Sequence, residues 1–349
     1  MKIVFVEANL KSDLDRIVKL INSNRTNNKD YNNILAWKYL TNPDGKPKVW
    51  IAIDEQTGKD IGISSIIPRK FKINNNTLTC WNSCDFSIEK RYRTLGIALK
   101  LRKKAKESVD NGEITAFFSH PNNKMVKIFE KANYPCIGKM LHLVKPLNID
   151  FKMKSIVKYK FISKTLSRIL NPFLCLPELF ISKNRNYSFE LLGNVPFDLE
   201  YDVFFSNVSK DYTIIGDRSS EYMNWRYINC PLYQTERIII RNNEKICGYI
   251  IFIQIEKQIH LKDMVCISDD KIIIALIANW IKIIRKRQAD YITAVFLQTN
   301  PMIKFFKKFT FFTASQESAV FAYVNERTDI YNAWLNNENW YMTIGDRDT

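Results

Sequence analysis

Histidine is scarce in this chain and cysteine is unorganised. Three histidines (His120, His142, His260) and seven cysteines are spread over 349 residues, with no Cys-x-x-Cys pair. These numbers argue against a metal site and against a disulfide framework, and they point to reduced thiols in a cytoplasmic protein. Long hydrophobic runs are missing too. The opening Met1-Lys2-Ile3-Val4-Phe5-Val6-Glu7 is too short an apolar run for a signal peptide, and no stretch reaches the roughly 18 uninterrupted apolar residues of a spanning helix. Acidic residues are outnumbered, 36 Asp and Glu against 52 Lys and Arg, for a formal net charge of +16. Such a surplus suits a nucleotide, an RNA or an anionic membrane surface, or simply a solvated lysine-rich exterior.

What is present is enough for a large core: 46% of residues are hydrophobic and 13% aromatic, over a length comfortable for two domains. The most informative stretch runs from Asp85 to Leu101. Phe86 and Ile88 alternate with Ser87 and Glu89, as on a strand with one packed face. The period then changes. Ile97, Leu101, Ala105 and Val109 recur every four residues with Ala98 alongside, while Lys100, Arg102, Lys103, Lys104 and Lys106 fill the other face of an amphipathic helix. At the junction stand a basic cluster, Gly96 and Ala98. The first turn of a helix has free N–H groups and a partial positive charge, so small residues and Arg93 there make a seat for an anion.

Arg93-Thr94-Leu95-Gly96-Ile97-Ala98 resembles the (Gln/Arg)-x-x-Gly-x-(Gly/Ala) signature of the GCN5-related N-acetyltransferases. About 25 residues on, Ile114-Thr115-Ala116-Phe117-Phe118 reads as a buried strand and Ser119-His120-Pro121-Asn122 opens a second helix. Asn122, Met125, Ile128 and Phe129-Glu130-Lys131-Ala132-Asn133-Tyr134 resemble the family's Asn-x-x-Ala-x-x-x-Tyr-Glu-Lys-x-Gly-Phe segment. The resemblance implies acetyl-CoA as co-substrate, and the histidine and cysteine count leaves no metal expected. The resemblance also implies that Arg93 to Ala98 bind the coenzyme's pyrophosphate, that Phe86 and Ile88 line the pantetheine arm with a main-chain N–H of Ile88 meeting the thioester carbonyl, and that Asn122 touches the coenzyme. Phe129 stands where relatives have a tyrosine acid, which departs from the pattern.

A repeat is visible downstream. Trp37-Lys38-Tyr39-Leu40-Thr41-Asn42-Pro43 recurs as Trp225-Arg226-Tyr227-Ile228-Asn229-Cys230-Pro231. Gly62 then matches Gly248, Asp85 matches Asp263, and Phe129-Glu130-Lys131 matches Phe306-Lys307-Lys308. The expected architecture is therefore α/β (α+β): two tandem copies of the fold, each a mixed, mostly antiparallel central sheet flanked by helices. Residues 1–148 form the acyl-CoA-binding catalytic domain, 149–199 a basic helical linker, and 200–349 a diverged copy. That second copy has Ser268-Asp269-Asp270 where the first has bases, and acid there repels a pyrophosphate. From Lys145 to Arg168 seven bases face one acid, Asp150, among interleaved apolar residues. That pattern fits an interdomain helix or a helix lying on an anionic membrane.

Direct attack of an amine on a thioester needs a polarised carbonyl and a route for the amine's proton. His120, Asp85 and Glu89 are the candidate bases, His120 for an ordinary pKa near 6.5. Trp81 and Asn82 are the candidate substrate wall. What the resemblance implies is acetyl transfer to a small primary amine, for instance, by likeness to tandem bacterial members, an amino sugar of surface polysaccharide assembly. Two alternatives stay open: an aminoacyl-tRNA-dependent peptidyl transferase, for which the charge suits a nucleic acid, and a non-catalytic CoA-binding regulator. Nothing in the sequence speaks to oligomeric state.

Overall fold

The computed structural model describes residues 2–25, 29–93, 95–148 and 187–348. The proposed basic helix at 149–168 lies outside them. The first half runs β1 (Ile3–Glu7), α1 (Leu10–Asn24), α2 (Tyr31–Leu40), β2 (Lys48–Asp54), β3 (Lys59–Ile73), β4 (Asn76–Ile88), α3 (Ile97–Asp110), β5 (Ala116–Ser119), α4 (Asn123–Lys131) and β6 (Cys136–Pro146). β3 and β4 are longer than the alternation alone suggests. They are joined by Asn74-Asn75, both with positive φ (49° and 69°), a hairpin turn in which asparagine is tolerated.

The second half repeats this order. β7 (Ser188–Leu192) pairs with β9 (Glu236–Asn242) as β1 pairs with β2, so the repeat begins inside the stretch that the sequence assigns to the linker. α5 (Leu199–Val208), β8 (Ile214–Gly216) and α6 (Ser220–Met223), which runs into a π-helical turn at Asn224–Ile228, come before β9. β10 (Lys245–Ile255), β11 (Gln258–Cys266), α7 (Asp270–Arg285), β12 (Tyr291–Leu297), α8 (Ile303–Lys308) and β13 (Phe312–Val324) follow, then α9 (Tyr331–Leu335) and β14 (Trp340–Tyr341). Gly62 pairs with Ile88 and Gly248 with Cys266, which places Asp85 and Asp263 three residues before equivalent positions. Among the described residues no helix is long and apolar enough to cross a membrane.

All the described strands belong to one sheet, with the order β1-β2-β3-β4-β5-β13-β6-β12-β11-β10-β9-β7 along its main path. The halves exchange their last strands. β13 of the second half lies between β5 and β6 of the first, while β6 pairs with β12 of the second. The repeated tryptophans meet across the pseudo-symmetry. Trp37 and Trp225 stack with centroids 4.7 Å apart, and each indole N–H donates to the other's carbonyl, at 2.9 and 3.2 Å.

In the first half α1 and α2 cover one face of the sheet, through Ile17, Leu35, Tyr39, Ile51 and Ile63. α3 and α4 cover the other, through Ile97, Leu101, Phe129, Trp50 and Phe117. Parallel β4 and β5 are in register only at Trp81–Phe117 and Asn82–Phe118. Beyond that point the strands diverge. A bulge opposite Ser64 and Ser65 leaves Asp85 as the extra residue of β4, and such a bulge bends the strand away from its neighbour.

Candidate active site

The divergence of β4 and β5 opens a cavity of about 500 Å³ that passes through the sheet. One side is lined by Asn24 and Arg25 at the end of α1, the other by Ala98 and Arg102 of α3 and by Asn122 and Lys124 at the start of α4. α3 follows an N-cap Gly96 in a left-handed conformation (φ 73°) that makes no side-chain cap, so no capping side chain occupies its first-turn amides. Arg93 lines the same cavity and donates Nε to the Ile88 carbonyl at 3.0 Å. A pyrophosphate finds here what it requires: uncapped amides, a cation, and open space around the Gly96 Cα.

The equivalent place in the second half is closed in two ways. Asp269 caps α7, accepting from the N–H groups of Lys271 and Ile272. The gap between β11 and β12 is filled by the C-terminal segment, with Thr343 Oγ1 donating to Asp263 at 2.8 Å and the Leu297 N–H donating to the Met342 carbonyl at 3.2 Å. What remains there is a cavity of about 360 Å³ lined by Asp211, Asp270 and Glu338 as well as Lys304, a lining that disfavours phosphate.

No family model and no curated protein sequence matches this chain. Solved structures do. A GCN5-related N-acetyltransferase from Anabaena variabilis aligns over 93% of this chain and 73% of its own at 14% identity, with a TM-score of 0.65. The chain has the GCN5-related N-acetyltransferase fold. A tandem GNAT protein from the clavulanic acid biosynthesis pathway aligns over 94% of this chain and all of its own (11% identity, TM-score 0.57). Saccharomyces cerevisiae N-myristoyltransferase with bound myristoyl-CoA aligns over 92% and 82% (11%, 0.56).

Within this GNAT fold the sequence candidates separate. Phe86, Ile88, Arg93, Ala98, Asn122 and Phe129 line the cavity, as do Asp85 and His120. Asn122 caps α4, accepting from the Lys124 N–H. Phe129 is fully buried on the floor, stacked on Phe117 and Phe321. Ile97 points into the core, Leu95 is exposed, Gly96 is the N-cap of α3, none of the three lines the cavity, and Thr94 lies outside the described residues. Glu89 is elsewhere, paired with Lys59 at 2.9 Å. Trp81 packs against the α3 side of the core, and Asn82 donates to the Asp346 carbonyl at 3.3 Å, outside the cavity.

The two central candidates are not ordinary titrating groups. Asp85 is buried and faces Lys38 at 3.0 Å, Tyr39 at 3.1 Å and Arg25 at 3.6 Å. Burial opposes its ionisation, but Lys38 and then Arg25 outweigh it and hold the carboxyl below its usual range. His120 hydrogen-bonds Ser318 through Nε2, and among the described residues its Nδ1 has no partner. Burial, with Arg347 adding to it, pushes its pKa down to about 3, so the value near 6.5 expected from sequence does not hold in this fold.

Three further cavity residues carry no local signal in the sequence. Arg102, grouped there with the solvated face of α3, is 3% exposed and points inward. Arg347 and Asp348 come from the far end of the chain. Arg226, the counterpart of Lys38, donates to the carbonyls of Gly345 and Arg347 at 3.4 and 2.9 Å, which steers the tail into the first half's cavity. Burial, reinforced by Asp85, raises the Asp348 carboxyl above its ordinary value even though Lys38 works the other way.

Proposed function

We propose that this protein is a cytoplasmic CoA-dependent N-acyltransferase in which the first half is catalytic and the second is architectural. The observation that carries this reading is the contrast between the halves: an uncapped α3 beside Arg93 over an open β4–β5 gap, against a self-capped, plugged α7. In this reading the α3 amides, Arg93 and Asn122 hold acyl-CoA, with its thioester beside β4 at Phe86 and Ile88. The acyl-CoA supplies an activated carbonyl. The acceptor is a small primary amine, an amino sugar being the class that the family resemblance implies. It enters from the α1 side, past Asn24, Arg25 and Arg347.

Asp348 takes the amine proton, being the half-buried carboxylate at the cavity whose pKa is raised. Asp85 acts as a positioning group, since its charge is already matched by Lys38 and Arg25. His120, neutral at physiological pH, offers Nδ1 as a hydrogen-bonding group. Phe129 brings no hydroxyl, and a thiol that ionises near pH 8.5 can depart without a dedicated acid.

Calorimetry with free CoA, followed by thiol release from acyl-CoA across a panel of amines, tests the reading. Micromolar CoA binding with amine-dependent release supports it. No CoA binding at millimolar concentration sinks it, and salt-sensitive tRNA binding in its place favours a peptidyl transferase. CoA binding with no release from any amine favours a regulator.

A further inference from the structure

Among the described residues, Arg102 is a buried cation with no carboxylate at ion-pair distance. It sits one helical turn beyond Ala98 on the same face of α3, and both side chains line the cavity. Its Nη1 donates to the Ser83 hydroxyl, its guanidinium lies 4.6 Å from the Phe86 ring centroid and 5.3 Å from that of Phe129, and among the described residues its Nε has no partner. The structure pairs Asp85 with Lys38 and Arg25, and Asp346 with Arg69 and Arg218; among the described residues no acid comes within ion-pair distance of Arg102, and Asp348 and Asp85 act on it only at longer range.

A buried guanidinium whose contacts are a hydroxyl and two aromatic rings is costly, and burial, offset only in part by Tyr134, Cys84, Asp348 and Asp85, drags its pKa down to about 10. A planar fork of donors in a cavity is complementary to a carboxylate, which it can bind in bidentate fashion. Its place decides which carboxylate. The residues offered to the acceptor, Arg25 and Asp348, approach from the α1 side, whereas Arg102 stands on the α3 side, next along the helix face from Ala98 and against the floor made by Phe129.

We infer that Arg102 binds the terminal carboxylate of the acyl group, so that the donor is the CoA thioester of a short dicarboxylic acid and not acetyl-CoA. This rests on the acyl-CoA reading above. Two methylenes between thioester and carboxylate make succinyl-CoA the first probe, and butyryl-CoA has the same chain length with a methyl in place of the charge.

Calorimetric titration of the full-length protein with CoA, succinyl-CoA, malonyl-CoA and butyryl-CoA tests it. The expected result is succinyl- or malonyl-CoA binding at least 10-fold tighter than butyryl-CoA, with the preference abolished in Arg102→Met and weakened in Arg102→Lys. Free CoA, which lacks an acyl group, separates the two layers. If CoA itself does not bind, the acyl-CoA reading fails. If CoA binds but the wild-type protein treats succinyl-, malonyl- and butyryl-CoA alike, the inference about Arg102 fails by itself, as it would if Asp348 or the acceptor's own carboxylate were the partner. The wild-type comparison stands even if Arg102→Met does not fold.

Discussion

Asp85 and Asp263 hold equivalent places in the two halves, and their partners tell what each carboxylate does. Asp263 is locked by Arg218 and Thr343 into the plug. Asp85 keeps Lys38 and Tyr39 from α2 at the edge of an open cavity. Lys38→Met leaves Asp85 buried without its nearest cation, which costs about 3–5 kcal/mol, and adding Asp85→Asn recovers most of that; chemical denaturation measures both. The pH dependence has a definite sign. The native pKa of Asp85 is depressed, so its contribution is complete above its ordinary value of 3.8 and is lost as pH falls through the native one. Lys38 is raised, its attraction to Asp85 overcoming burial, so its contribution is complete below 10.5 and fades only above that. The melting temperature of wild type relative to the doubly neutral variant therefore falls at acid pH and is flat through neutrality. Asp348→Asn is expected to lower kcat about 100-fold or more while CoA affinity holds, and to remove an acid limb of the rate profile whose midpoint lies above 3.8. An unchanged profile would return the base role to another group.

At the scale of elements, α3 presents the amides and α4 the floor. Gly96 has φ 73°, and a Cβ built on it meets nothing within 4 Å. Gly96→Ala therefore costs only backbone strain, about 1 kcal/mol. Gly96→Glu adds a carboxylate that helps the helix but takes the anion's place. The expected result is a CoA Kd raised at least about 10-fold in the glutamate variant and little changed in the alanine variant, with similar melting temperatures for the two. This junction was readable from sequence because the hydrophobic period switches from two to nearly four between Ile88 and Ile97, and because glycine marks the turn. Other features were not. The β3–β4 hairpin turns on Asn74-Asn75, which looks like any polar pair until its φ values are known. Arg102 falls among five bases on α3, and only its spacing of four from Ala98 separates it from Lys100 and Lys103. Arg347 and Asp348 reach the cavity through a tail fixed by Arg226, a contact across 121 residues that no local pattern encodes.

At the scale of the molecule, the repeated segments announced two copies of one fold, but not that the copies would exchange strands. With β13 inserted between β5 and β6, the Phe129–Phe321 stack of the first half's core depends on the last strand of the second. Residues 1–148 alone would expose the edge of β5 and one side of Phe129. The expected behaviour is a single cooperative thermal transition for the whole chain, and no cooperative transition or CoA binding for the isolated 1–148 fragment. Two separate transitions would mean that the halves are independent. The seam itself can be weighed at Trp37 and Trp225, whose rings stack and whose reciprocal indole bonds bury two polar groups together. Each alanine substitution removes a large buried side chain at a cost of about 3–5 kcal/mol. Because each tryptophan also leaves the other's carbonyl and ring without a partner, the two losses should not add. A double-mutant cycle is expected to give a coupling of about 1 kcal/mol or more, the second substitution costing less than the first. Strict additivity would mean that the tryptophans only fill space, and that the exchanged strands by themselves keep the tail aligned with the first half's cavity.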